Sequence, residues 1–312
     1  MQTNTDTQKK PLTVLAKAIL KALLYFDVFE FPLNKKELEI YMNAPFEHAD
    51  KELPNLLEAG LIGHDDVFYG FEPLRPKVRK RMKAETEAWY IYPMAVRVTW
   101  LLKLIPFIRC VCVSGSLSKG VMEEDSDIDF FIIVQKNRLW MVRAIFSFLI
   151  FSLRIFNIKK YFCPNYIMVD SDMEVKDKNM YTAVEIRSLM PMYNYALYWE
   201  FLEKNEWIKE YVPNPYKKGA WYVKERKHIL RRLWYSKYIN FVDDIFFALY
   251  RWHYGRKFRN LESWNLTPKD VRFQKNVYKM HNTGHRSRIL DQYEKRVAEF
   301  EREYNIDLSE IR

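Results

Sequence analysis

Apolar and polar positions along the 312-residue chain switch between helical and extended spacing several times. Residues 11–29, PLTVLAKAILKALLYFDVF, carry apolar side chains at three-to-four spacing and predict a helix. Phe31-Pro32-Leu33 is a break. Asn34 followed by Glu37 has the form of a capping box for a helix over KKELEIYMN. A third helix runs through HADKELPNLLEAG, where Pro54 favours a late start and Gly60 a C-terminal cap. LIGHDDVFYGF then predicts a small hairpin turning at His64-Asp65-Asp66. Three helices and a hairpin over 11–75 make a winged-helix-like segment.

Residues 76–175 read differently. Pro76–Tyr92 and Met94–Leu104 predict two helices, the second stopped by Pro106. Three short β-rich runs follow: RCVCVS at 109–114, IDFFIIV at 128–134 and YFCPNYIMVD at 161–170. Between the last two lies the longest apolar stretch, Leu139–Ile158, which Arg143 and Arg154 interrupt. It approaches membrane-spanning length, and a buried helix is the favoured reading over one lying on a membrane surface. Residues 176–312 show helical spacing and no clear strand, divided by Pro191 and by Pro213-Asn214-Pro215. The expected fold class is therefore α+β. A small mixed sheet forms a core at 76–175, between the winged-helix-like segment and a basic helical domain at 176–312.

Composition narrows the functional classes. An apolar fraction of 49% with only 8 Gly and 13 Pro excludes disordered and collagen-like chains. Three cysteines exclude a disulfide framework, and Cys110 and Cys112 read as core residues. Met1–Lys10 lacks the apolar stretch of a secretory signal, so the expected location is the cytoplasm. Charge is uneven. Residues 1–75 hold 8 Lys/Arg against 12 Asp/Glu, a net −4, whereas residues 217–312 hold 22 against 12, a net +10. The basic third attracts polyanions, so RNA is one candidate partner. Its Trp221, Trp234, Trp252 and Trp264 are interleaved with cations, as in base-stacking surfaces, or are buried anchors. DNA is disfavoured, because the third helix would present Glu47, Asp50, Glu52 and Glu58 to phosphates. His281 and His285 read as a loop rather than a metal site.

The chemistry concentrates between the first two strands of the middle segment. Asp127 and Asp129 flank Ile128, so on a strand both carboxylates project from one face. Two such carboxylates repel unless a proton or cation lies between them, and Mg2+ prefers oxygen ligands shared with substrate phosphates. The Gly115-Ser116 turn lets the backbone approach a ligand, and its N–H groups with the Ser116 hydroxyl suit phosphate oxygens. Lys119 adds positive charge where a triphosphate would lie.

An apolar strand, Gly-Ser, about ten residues and then Asp-apolar-Asp in a second strand resembles the nucleotidyltransferase superfamily typified by DNA polymerase beta. The likeness is close over 105–135 and looser to 172. Ser126 before the first Asp fits it, and Lys119-Gly120 stands where many members have Arg-Gly. The resemblance implies that Asp127 and Asp129 bind Mg2+ or Mn2+, and that Gly115, Ser116, Lys119 and Ser126 contact the nucleotide. The reaction it implies is transfer of a nucleoside monophosphate from an NTP, with ATP favoured, to an acceptor hydroxyl with release of pyrophosphate. The acceptor is open between a small molecule, a protein side chain and an RNA end. A third acid normally completes the site. Here Asn165 occupies the middle of the third strand, and Asp170, ahead of Asp172, is the favoured substitute. The alternative is a non-catalytic nucleotide-binding or interaction module with a degenerate third acid.

Overall fold

The computed structural model describes residues 12–44, 49–105, 107–123, 126–155, 162–214, 237–257, 271–280 and 285–309. Helix α1 (Val14–Asp27) starts where the Thr13 hydroxyl accepts from Ala16 N, and eleven of its fourteen residues are buried. This is the continuous apolar run of the sequence, wrapped on several sides by the rest of the chain. β1 (Leu33–Asn34) leads into α2 (Lys35–Tyr41), whose capping box forms as expected, with Asn34 Oδ1 accepting from Glu37 N at 3.1 Å and Glu37 Oε2 accepting from Asn34 N at 3.0 Å. Such caps contribute about 0.5–2 kcal/mol each. α3 (Ala49–Glu58) runs straight through Pro54 rather than starting at it. It ends at Gly60, whose φ of +67° lets Leu61 N reach back to Leu56 O. β2 (Gly63–Asp65) and β3 (Phe68–Gly70) form the hairpin, turning at Asp66, and β1 adds to β3.

The two helices expected on either side of Pro93 are a single one, α4 (Leu74–Leu102). A proline removes one backbone donor, and here the flanking turns carry the helix through. After it comes a six-stranded sheet built from β4 (Ile108–Ser114), β5 (Asp129–Val134), β6 (Cys163–Val169), β7 (Met190–Tyr193), β8 (Val271–Gln274) and β9 (Val277–Met280). Their order is β7-β4-β5-β6-β9-β8. Only β5 and β6 pair in parallel, joined by the crossover helix α6 (Leu139–Ile155). Three strands thus come from 176–312, where no clear strand was expected. β7 contains Pro191, which an edge strand tolerates because its N–H side need not pair. β8 and β9 are four residues each and carry Arg272, Gln274 and Lys279, so they lack a β-like apolar pattern.

The remaining elements are α5 (Gly115–Ser118), α7 (Met180–Ser188), α8 (Tyr195–Lys204), a 3-10 turn at Glu206–Glu210, α9 (Lys237–Lys257) and α10 (His285–Tyr304). The two faces of the sheet alternate along β5 and through most of β4. Cys110, Cys112, Phe131, Ile133, Met168 and Val277 pack with α1, α7, α8 and α10. Val111, Val113, Phe130, Ile132, Val134, Ile167 and Tyr278 pack with α4, α6 and α9. The class is α+β, as read. α6 buries Trp140, Val142 and Phe146 but leaves Phe148 and Phe151 exposed, so only one side of it is core. Among the described residues no helix is long and apolar enough to cross a membrane. Trp252 is exposed on α9 with Arg256 stacked on it at 4.2 Å, and His285 opens α10. Trp221, Trp234, Trp264 and His281 lie outside the described residues.

Two asparagines fasten the loops around this core. Asn205, fully buried, accepts from Val175 N at 2.7 Å and from Trp207 Nε1 at 3.2 Å, and donates to the carbonyls of Met173 and Phe201 at 2.8 Å each. Asn214 donates to Glu39 O at 2.6 Å and Ala44 O at 2.8 Å, holding the end of α2.

Candidate functional site

β4 and β5 are antiparallel, and their register sets Ser114 directly opposite Asp129. The turn that leaves β4 and the acid that opens β5 therefore meet at one end of the sheet. Gly115 adopts φ +66°, and a Cβ there would lie 2.5 Å from Asp129 Oδ2. Only glycine lets the main chain lean on that carboxylate. Ser116 follows, exposed on the single turn of α5. Asp127 is exposed just before β5, and Ser126 is half-buried beside it.

Asp129 is the electrostatic centre. Burial pushes its carboxyl up to about 7. A hydrogen bond from Cys163 works against that shift, Glu185 and Asp127 add to it, and Lys119 opposes it. Lys119 Nζ donates to Glu185 Oε1 at 2.6 Å and lies 3.4 Å from Gly115 O. Lys119 thus lines the cavity while paired with Glu185. The register of β5 against β6 slips between Phe130 and Phe131, so Asn165 is the extra residue of a bulge. The bulge turns Asn165 into the same space.

That space is a cavity of about 790 Å³. Gly115, Ser116, Lys119, Asp129, Asn165 and Glu185 line one side, and Phe29, Phe31, Lys80 and Arg81 face them from the N-terminal segment and α4. Lys279 of β9 and Arg296 of α10 complete it.

Glu185 has no counterpart in the sequence-level expectations. Its signal was a lone carboxylate within a helix whose neighbours, Tyr181 to Ser188, are otherwise buried. Asp170 is a correction. It follows Val169, which pairs with Val134, so it sits at the far end of the parallel β5–β6 pair. Five residues of strand, roughly 17 Å, separate that end from Asp129. Asp170 there accepts from Lys136 N at 2.9 Å and lies 3.9 Å from Arg109 Nε. Asp172 is at the same wrong end, accepting from Asn276 Nδ2 at 3.3 Å. Neither can share a ligand with Asp129.

The donor set suits a hard cation in part. Among the described residues no group of three or more His, Cys, Asp or Glu side chains is arranged to hold a metal. Asp127 and Asp129 supply two carboxylates and Asn165 an amide oxygen, the complement Mg2+ uses when substrate phosphates and water fill its other positions. Burial disfavours an ionised Asp129, and a cation would reverse that.

The Gly115-Ser116 turn thus leans on Asp129, the acid that opens β5, inside a mixed sheet. Residues 101–213 match the family model of the nucleotidyltransferase domain. The chain therefore carries a nucleotidyltransferase domain, consistent with the polymerase beta-like superfamily, and this supports a transferase acting in nucleotidyl transfer. The match extends past β6 to take in α7, with Glu185, and β7. No curated protein and no solved structure matches the chain.

Proposed function

We propose that the protein transfers a nucleoside monophosphate from ATP to an acceptor hydroxyl and releases pyrophosphate. The observation that carries this reading is the Gly115 backbone packed against the half-buried Asp129 carboxylate, with the exposed Asp127 close enough to act on its charge. Asp127 and Asp129 would hold Mg2+ or Mn2+, which, when bound, supplies a Lewis acid for the phosphates and an acidified acceptor hydroxyl. Gly115 N–H and the Ser116 hydroxyl hold phosphate oxygens, and Ser126 borders the Asp127 side. Lys119 brings its charge to the triphosphate. The acceptor oxygen bonds to the α-phosphorus, and the α–β bridging oxygen departs with pyrophosphate. The N-terminal segment, winged-helix-like in its element order, lines the cavity with Phe29 and Phe31. A concave site of about 790 Å³ supports a small-molecule acceptor ahead of a protein side chain or an RNA end.

Incubation with γ-labelled ATP, Mg2+ and a panel of hydroxyl compounds tests the reading. Pyrophosphate release that disappears in Asp127→Asn/Asp129→Asn supports it, and release unchanged in the double variant refutes the site. One observation favours a second reading. Asn165 is the side chain that the bulge presents where a third acid is expected, and an amide is a poor base. A binding module of this kind would take up Mg2+–ATP with no pyrophosphate formed.

A further inference from the structure

Among the described residues, α4, α6 and α9 cover one face of the sheet, and each is apolar on two sides. Ala88, Ala95 and Leu102 of α4, Val142 and Phe146 of α6 and Tyr254 of α9 turn inward to the core. The far side of such a helix is ordinarily polar. Here it is not. Seventeen large apolar side chains among the described residues are exposed, and twelve of them lie between Trp89 and Leu104, on α6 or on α9. Tyr90 is 72%, Phe148 71% and Phe241 68% exposed.

Helical spacing joins these side chains into stripes. On α9, Asn240, Asp243, Phe247 and Tyr250 face α6, where they meet Arg138, Met141 N and Trp140. Phe241, Ile245, Leu249 and Trp252 recur at three-to-four spacing about half a turn round the helix, and all four are exposed. Phe148 and Phe151 stand likewise across α6 from Val142 and Phe146, and Tyr90 and Leu101 across α4 from Ala88 and Ala95.

Charge selects the occupant. The chain holds no Asp or Glu from 88 to 122 or from 130 to 169, so α4 from Ala88 onward and the whole of α6 carry no carboxylate. The two acids of α9 are engaged. Asp243 is fully buried and accepts from Met141 N at 2.8 Å, and Asp244 pairs with Lys275 at 2.5 Å. Arg97, Arg251 and Arg256 are exposed on the same helices, the last stacked on Trp252 at 4.2 Å. An aromatic layer with arginines and without acids matches the interfacial zone of a bilayer with anionic headgroups, where Trp and Tyr rings settle. A second copy of this face would set arginine against arginine.

We infer that the outer layer of α4, α6 and α9 docks on a membrane surface containing anionic phospholipid. The cavity does not compete for it, because Phe131, Tyr181, Ile186 and Leu189 of its lining pack on the opposite face of the sheet. The inference stands independently of the nucleotidyl-transfer reading.

The test sediments the full chain with phosphatidylcholine vesicles made with and without phosphatidylglycerol. The protein should pellet with the anionic vesicles, less with the neutral ones, and less again at high salt. Phe148→Glu/Phe241→Glu puts charge into two stripes and should weaken vesicle binding at least about tenfold, since burying one Phe is worth roughly that factor. Trp252→Glu alone should act in the same direction. Trp199→Glu, at an exposed ring of α8 on the other face, should bind as the parent does. All these side chains are exposed, so each variant should keep the parental Tm. No pelleting by the parent, equal pelleting with the two kinds of vesicle, or parental binding by Phe148→Glu/Phe241→Glu overturns the inference. So does a parent that ignores vesicles and forms a dimer that the same double variant abolishes, since the face would then belong to a second copy.

Discussion

Asp129 couples the proposed chemistry to stability. Its folded-state value near 7 stands above the ordinary 3.8, so the ionised form is disfavoured in the folded chain. The contribution is fully present below about pH 4 and is lost as pH rises through 7. At 1.36 kcal/mol per pH unit, the loss above pH 7 is on the order of a few kcal/mol. Asp129→Asn removes the titration, so thermal denaturation at pH 8 without divalent metal should show the variant melting above the parent, with the gap closing by pH 4. Added Mg2+ should raise the parent's Tm and leave Asp129→Asn unmoved. Gly115→Ala acts on the same pair from the other side. Its Cβ would fall 2.5 Å from Asp129 Oδ2 at a φ of +66°. We expect about 2 kcal/mol of destabilisation from strain, and loss of transfer activity beyond what residual folding explains. A Gly115→Ala variant with parental melting and turnover would contradict the packing described for this turn.

Among the elements, what the sequence disclosed was local. The capping box at Asn34 and Glu37, the Gly60 stop and the alternation of β4 and β5 depend on neighbours in the chain, and each is found where its residues point. The Gly-Ser and Asp-x-Asp residues were legible for the same reason. Strand direction was not. YFCPNYIMVD reads alike in either sense, and its parallel pairing with β5 brings Asn165 to the site and carries Asp170 away. Glu185 and the short strands β7 to β9 acquire their places from partners far along the chain, which no window of sequence contains. Asn205 likewise makes four hydrogen bonds that tie the irregular segment after β6 to α8 and to the 3-10 turn. Removing that side chain leaves buried backbone groups unpaired. Asn205→Ala should cost on the order of 3 kcal/mol, read as a lower denaturant midpoint with an unchanged slope.

On the scale of the whole molecule, the sequence suggests three consecutive domains, but the core does not respect those boundaries. The cluster that holds α1 also holds one face of the sheet together with Ile289, Phe300, Ile306 and Leu308 from the C-terminal end. Tyr25 meets Tyr293 edge-on, and Arg296 pairs with Asp27. The cavity takes residues from α1, α4, the sheet, α7 and α10, so its walls form only when all of these dock. Calorimetry should therefore register one cooperative transition, and a separate transition for the first 70 residues would contradict this arrangement. The C-terminal excess of positive charge has a partly internal use, since Arg272, Lys279, Arg286 and Arg296 surround buried carboxylates instead of forming only a solvated face.

The central claim is that the Gly115–Ser116 turn and the Asp127/Asp129 pair form one metal-dependent nucleotide site. Titration of a non-hydrolysable ATP analogue with Mg2+ into the parent and into Asp127→Asn/Asp129→Asn tests it most directly. The account expects saturable binding by the parent that needs the metal and is at least tenfold weaker in the double variant. Equal binding by the two proteins, or binding by the parent indifferent to Mg2+, would contradict it.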